Sequence, residues 1–167
     1  LPGPERSGAG VPARPNYDDY DPNYHDSKSA GARATADRVL PLAFRLVDVE
    51  SVVDVGCGYG DWLAAAGDLG VSVLIGVEGR WAAAWRDRGV IDSRIELVLG
   101  DLEQSIAIER RFDLAICLEV AEHLSPERGR GLVADLCRLA PAVLFSAALP
   151  RQGGDNHINE RQLSFWA

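Results

Sequence analysis

Two stretches carry side chains whose types and spacing could do chemistry. The first is "LEVAEHL" (118–124), which offers Glu119, Glu122 and His123. If the chain enters a helical turn there, positions i, i+3 and i+4 share one face and the three side chains converge. Farther on, "GGDNHINE" (153–160) adds His157, Asn159 and Glu160. Carboxylates and imidazoles gathered in this way suit two tasks. His123 or His157 can take a proton from a substrate hydroxyl, or Glu119, Glu122, His123 and His157 can hold a divalent cation that orients it. The plainer alternative is that Glu122 and His123 cap or solvate the next helix.

The second stretch is "VVDVGCGYGDW" (52–62), in which Gly56, Gly58 and Gly60 alternate between Asp54 and Asp61. Glycine turns after a strand commonly cradle phosphate, but here the chemistry opposes it. A dinucleotide loop wants a small residue at the sixth place of G-x-G-x-x-G, and counting from Gly56 that place is Asp61. A carboxylate at a helix N-terminus competes with a pyrophosphate for the same N–H groups. NAD-dependent oxidoreduction is therefore disfavoured. A P-loop is excluded because no Gly-Lys-Ser/Thr closes the turn. Acids around a close-approach backbone instead complement a cationic ligand.

The elements that must position these groups are short apolar runs alternating with helical stretches. Strands are expected at "SVVDV" (51–55), "VSVLIGV" (71–77), "IELVL" (95–99), "FDLAICL" (112–118) and "AVLFSAAL" (142–149). Helices are expected at "DWLAAAGDLG", "RWAAAWRDRG", a short "EQSIAIER" and "SPERGRGLVADLCRLA". The last has Ser125 as N-cap, Pro126 at the first helical position and Glu127 in the first turn. Before them, "SAGARATADRVLPLAFRLV" from Ser29 reads as a helix that Pro41 kinks or restarts. Near-continuous apolar strands separated by helices mean a parallel sheet covered on both faces. Ligands of such sheets bind beyond the strands' carboxyl ends, and both chemical stretches lie there.

Composition narrows the class. The 167 residues have a hydrophobic fraction of 47%, a charged fraction of 25% and a net charge of −8. That suits one soluble domain and disfavours a nucleic-acid partner, which calls for a basic footprint. No apolar run is long enough to span a bilayer. Cys57, Cys117 and Cys137 show no metal-ligand spacing, so a reduced, cytoplasmic protein is expected, with Cys117 and Cys137 as core thiols. Residues 1–27 read as a flexible arm, ordered near "YDDYDPNYHD" by its tyrosines, and residues 28–167 as the ligand-binding domain. Trp62, Trp81 and Trp85 are expected to pack.

From Asp54 to Gly60, "DVGCGYG" resembles the first motif of class I S-adenosylmethionine-dependent methyltransferases, an acid followed by three alternate glycines. Three further segments resemble that family in order: "IGVEG" (75–79), "LVLGDLE" (97–103) and "FDLAICLEVAEHL" (112–124). The resemblance implies a three-layer, doubly wound Rossmann-like α/β sheet, mostly parallel, with S-adenosylmethionine as methyl donor. It implies cofactor binding by Asp54, Gly56, Cys57, Gly58, Tyr59 and Gly60, though Cys57 and Tyr59 read equally as loop fillers. It places Glu78 and Gly79 at the ribose, Asp101 and Leu102 at the adenine, and Leu118 and Glu119 near the methionyl group. The E-x-x-E-H segment with a distant histidine is similar to the metal site of small-RNA 3′-end 2′-O-methyltransferases, which implies Mg2+ or Mn2+. "LFSAALPRQGGDNHINERQLSFW" resembles bacterial methyltransferases of sugar and secondary-metabolite pathways. The expected reaction is O-methylation of a small-molecule acceptor, with His123, His157 and Glu122 as catalytic residues.

One departure from the family stands out. The full fold has seven strands, the last two an antiparallel hairpin beside the fifth, and only five strands are legible here. The expectation is a chain shortened at its C-terminus, or an edge at "AVLFSAAL" covered by the N-terminal arm or by a dimer partner. An RNA 2′-O-methyltransferase and a methyltransferase-like binding domain without activity remain as alternatives.

Overall fold

The computed structural model describes residues 22–167. Five strands form one sheet: β1 (Ser51–Val55), β2 (Val73–Glu78), β3 (Glu96–Leu99), β4 (Leu114–Leu118) and β5 (Ala142–Ser146). Their order is β3-β2-β1-β4-β5, and every neighbouring pair is parallel. Helices α1 (Pro22–Ala43), α2 (Asp61–Asp68), α3 (Ala82–Asp87), α4 (Pro126–Leu139) and α5 (Leu163–Trp166) complete it, with a short 3-10 turn at Ala121–His123. This is the doubly wound Rossmann-like α/β fold expected from the sequence. Its switch point lies between β1 and β4, where the strand order reverses.

Alternation within the strands builds two cores. Val53, Val55, Ile75 and Val77 face a cluster with Leu132 and Leu136 of α4. Val52 and Leu74 face the opposite cluster, with Leu40 of α1, Leu63 of α2 and Trp85 of α3. Register pairs Val53 with both Ile75 and Ala115, which brings the ends of β1, β2 and β4 level. Asp113 ties the other end: its Oδ2 accepts from the N–H groups of Glu50 and Ser51 and from the Ser51 hydroxyl.

Several expectations are corrected. Helix α1 begins at Pro22, so residues 22–27 of the expected arm are helical, while the stretch up to residue 21, most of the tyrosine cluster included, lies outside the described residues. α1 continues through Pro41 to Ala43, so Pro41 does not restart a helix. β5 stops at Ser146 instead of Leu149. Cys137 is exposed on α4, and Cys117 alone of that pair is a core thiol. The stretch 103–110 is not helical. Ile106 is buried and Ile108 half-buried, with exposed Ala107 between them, a spacing of two that suits extended chain.

That extended crossover survives because side chains satisfy its backbone. Asp135 accepts from the Ile106 N–H (3.1 Å), Arg138 donates to the Ile106 and Ile108 carbonyls, and Arg128 Nε donates to the Leu102 carbonyl (2.7 Å). Arg128 and Asp135 are themselves paired at 2.7 Å with side chains 6% and 10% exposed. Burial works against the Asp135 carboxylate, but the Ile106 N–H and the two arginines outweigh it and hold its pKa low. Asp135→Ala leaves a buried guanidinium without its partner and should cost about 3–5 kcal/mol of stability. Urea denaturation measures this, and a loss below about 1 kcal/mol, typical of an exposed pair, would contradict it.

Candidate active site

The chain leaves β1 through three glycines in the left-handed region, with φ of +79° at Gly56, +54° at Gly58 and +81° at Gly60. A side chain at any of them is strained, and a Cβ at Gly56 would also lie 2.3 Å from Val120 Cγ2. Four of the loop's amides are bound within the protein. Gly56 and Cys57 donate to the Val77 carbonyl (2.8 and 3.3 Å), and Gly60 donates to the Cys57 carbonyl (2.8 Å). Gly58 donates to Glu78 Oε2 and Gly79 to Oε1, both at 2.8 Å. A phosphate cradle presents such groups to its ligand; here a carboxylate already holds the middle one.

Three carboxylates surround this loop. Asp54, 3% exposed, has its pKa pushed up to about 8, first by burial and then by the charges of Glu78 and Asp61. Burial also raises Glu78, against the pull of the Gly79 and Gly58 N–H groups. Asp61 is raised by burial too, while the Ser29 hydroxyl on α1 donates to it at 2.8 Å and Arg33 opposes the rise. A cation beside these groups would relieve all three. The side chains of Cys57 and Tyr59 turn away into packing, as loop fillers do. A Cβ on Gly76 would touch the Cys57 sulfur at 2.6 Å, and Tyr59 meets Trp85 edge-on at 4.8 Å. Trp81 lies over Gly79, where a Cβ would fall 1.9 Å from its ring.

At the end of β3, exposed Asp101 closes a turn by accepting from the Glu103 N–H (3.0 Å). Beneath it is a cavity of about 150 Å³, lined by Val77, Val98, Leu102 and Ile106 among others.

After β4 and half-buried Leu118, Glu119 takes φ +56°, an uncommon conformation for a residue with a side chain. Its N–H donates to the Ser146 carbonyl (3.2 Å) and its Oε1 accepts from the Ser146 hydroxyl (2.6 Å). That turn delivers Glu122 to a fully buried position, where neither carboxylate oxygen has a hydrogen-bond partner. Burial raises its pKa and the charge of Glu119 adds to this, against the pull of its own backbone N–H, of His157 and of the Ala148 N–H nearby. Candidate ligand atoms of Glu122, His123 and His157 all lie within 4.8 Å of one another, and the two imidazoles meet edge to face at 5.0 Å. Glu119, expected as a fourth metal ligand, is not in this group; it is exposed and bonded to Ser146.

The loop carrying His157 is fastened to the 3-10 turn. Ile158 and Asn159 N–H groups donate to the Glu122 carbonyl (2.9 and 3.0 Å), and Asn159 Nδ2 donates to the Ala121 carbonyl (3.3 Å). Glu160 collects the Arg151 N–H (2.6 Å), the Gly153 N–H (2.8 Å) and His157 Nδ1 (3.2 Å). The sequence reading assigned no role to Ser29 or Ser146. Ser146 had a faint signal, as the last polar position of β5; Ser29 had none, being distant in the chain from Asp61.

The methyltransferase-domain family profile matches residues 27–152. The chain belongs to that family. Among solved structures it is similar to an amino pentose methyltransferase from Micromonospora echinaspora involved in calicheamicin biosynthesis, bound to S-adenosylmethionine. The identity is 25% over 79% of this chain and 54% of that one, with a TM-score of 0.53. A glycopeptide N-methyltransferase with S-adenosylmethionine matches at 24% identity over 63% of this chain and 49% of that one, TM-score 0.50. An O-methyltransferase family protein from Burkholderia thailandensis matches at 14% identity over 86% and 50%, TM-score 0.66. The last two bear on the fold alone. This methyltransferase-family chain spans about half the length of these structures, and no curated protein matches it. No helix among the described residues is long and apolar enough to cross a membrane.

Asp54 gives the site a pH signature. Its folded pKa of about 8 lies above the unfolded value of about 3.9, so the folded state keeps a proton that the unfolded state has released. The resulting stabilisation is fully present below the unfolded value and is lost as pH rises through the folded one. Without ligand, wild type should therefore lose stability relative to Asp54→Asn between about pH 4 and pH 8. Denaturation curves for both proteins across that range measure it; parallel pH profiles would contradict it.

Proposed function

We propose that this chain binds S-adenosylmethionine and directs methylation of an oxygen on a small-molecule acceptor, a sugar or a secondary metabolite. The observation that carries the reading is the loop after β1, where the Gly56, Cys57, Gly58 and Gly60 amides are bound to protein acceptors and three carboxyl groups, Asp54, Asp61 and Glu78, lie around it. The family to which the chain belongs and the titles of its structural neighbours support the donor. When bound, S-adenosylmethionine supplies an electrophilic methyl group on a sulfonium.

The chain's own residues divide the work. Gly56, Gly58 and Gly60, with the backbone of Cys57 and Tyr59, allow close approach, and Asp54 balances positive charge. Each Glu78 oxygen has a lone pair beyond its N–H bond, so Glu78, beside Gly79, can still accept two neighbouring ribose hydroxyls. Asp101 and Leu102 would meet the adenine, and Leu118 and Glu119 the methionyl end. Across the switch point, His157 or His123 takes the proton from the acceptor hydroxyl, with Glu122 beside them. Glu122's oxygens, without a hydrogen-bond partner, favour a second arrangement, in which Glu122, His123 and His157 would hold a divalent ion able to polarise the acceptor hydroxyl. Two imidazoles and one carboxylate suit Mn2+ better than Mg2+.

Glu78→Ala should weaken S-adenosylmethionine binding by about 1–3 kcal/mol, the scale for stranding buried hydrogen-bond partners. Calorimetry measures this, and an unchanged Kd removes Glu78 from the site. On an acceptor found by screening sugars and amino sugars with methyl-labelled donor, His157→Ala or His123→Ala should lower kcat by about 10²–10⁴ while donor binding survives. Full turnover in both variants would dismiss the imidazoles. Loss of turnover in EDTA with recovery on adding Mn2+ selects the metal arrangement, and indifference to EDTA selects the base.

A further inference from the structure

His157 is held on several sides by groups that no reading of the donor site requires. Gly154 sits under its ring, where a Cβ would lie 2.4 Å from Cε1 and Nε2. His123 meets it edge to face at 5.0 Å. The following residues Ile158 and Asn159 are bonded to the Glu122 carbonyl, so the ring travels with the turn that carries Glu122 and His123. Glu160 Oε1 then meets Nδ1 at 3.2 Å. The same carboxylate gathers the N–H groups of Arg151 and Gly153, residues with φ of +73° and +72° that fold the loop back onto it.

An imidazole has two distinct nitrogens, and the partner of one decides the state of the other. An ionised carboxylate only accepts hydrogen bonds. Glu160 is used as such an acceptor here, taking the Arg151 N–H on one oxygen and the Gly153 N–H on the same oxygen that meets His157. The nitrogen that faces it must therefore carry the hydrogen.

We propose that Glu160 is the positioning residue of this site, fixing His157 as the Nδ1–H tautomer and reserving the Nε2 lone pair for the acceptor's proton or for a metal ion. This rests on the methyl-transfer reading only for its catalytic consequence, since the tautomer is a property of the protein alone. A base oriented by a third group is the arrangement that activated nucleophiles and general bases require. Outer-shell carboxylates of this kind typically change activity or metal affinity by about 10–100-fold when removed.

The test compares the full wild-type chain with Glu160→Gln and Glu160→Asp at neutral pH, by NMR in EDTA and by turnover measured both in EDTA and with Mn2+ added. Imidazole ¹⁵N NMR should show His157 of the wild type with hydrogen on Nδ1 and none on Nε2. Glu160→Gln should convert it to a mixture of tautomers and lower kcat about 10–100-fold, with the S-adenosylmethionine Kd unchanged. Glu160→Asp, which keeps the carboxylate, should restore part of both. A wild-type His157 that is predominantly Nε2–H overturns the proposal. So does a variant whose kcat falls while its tautomer stays intact, because Glu160 would then only shape the loop. If no acceptor supports turnover in any protein, the methyl-transfer reading fails while the NMR result still decides the role of Glu160.

Discussion

The carboxylate of Glu78 is the hinge of the proposed donor site. Set at the end of β2, it receives the N–H of Gly58 on one oxygen and that of Gly79 on the other. This ties the glycine loop to the neighbouring strand and decides what the loop can bind. Backbone amides at a strand-to-helix turn are ordinarily an anion site, because their N–H groups and the helix dipole point at the ligand. Here the amides of Gly56, Cys57, Gly58 and Gly60 are taken by the protein's own acceptors. What remains facing the ligand is close-packed glycine backbone flanked by Asp54, Glu78 and Asp61, three acids whose pKa values all rise on burial. Such a site gains from a positive charge and loses from a negative one.

The other half of the site follows a different principle. Glu122 is buried with neither oxygen in a hydrogen bond, a condition that costs stability and that folds retain where a functional site needs it. The turn that produces it is held by the positive φ of Glu119 and its bonds to Ser146, and by the loop whose Ile158 and Asn159 close on the Glu122 carbonyl. Fold and chemistry meet at these contacts. β4 and β5 are parallel neighbours, so the residues that follow them, far apart in the chain, meet above the same edge of the sheet.

Much of this was legible in the sequence, for physical reasons. Parallel strands buried on both faces are near-continuous apolar runs, so β1 to β5 were readable to within a few residues. Three alternate glycines and an acid on either side disclosed a loop unsuited to phosphate. Other features depended on partners distant in the chain. The crossover 103–110 looked helical until Asp135, Arg128 and Arg138 were seen to satisfy its backbone. Glu119 shares sequence spacing with Glu122 and His123, but its left-handed backbone sends it to Ser146. The pairing of Asp61 with Ser29 and of Glu160 with the Arg151 and Gly153 amides leaves no periodic trace.

The central claim is that this loop accepts a cation and refuses a diphosphate. Calorimetric titration of the wild-type chain with S-adenosylmethionine and with NAD, near pH 7 in two buffers of different ionisation enthalpy, tests it most directly. The account predicts binding of the sulfonium compound with release of a proton, as the buried acid at Asp54 ionises beside it, and no binding of NAD. Tight NAD binding without affinity for S-adenosylmethionine would contradict it.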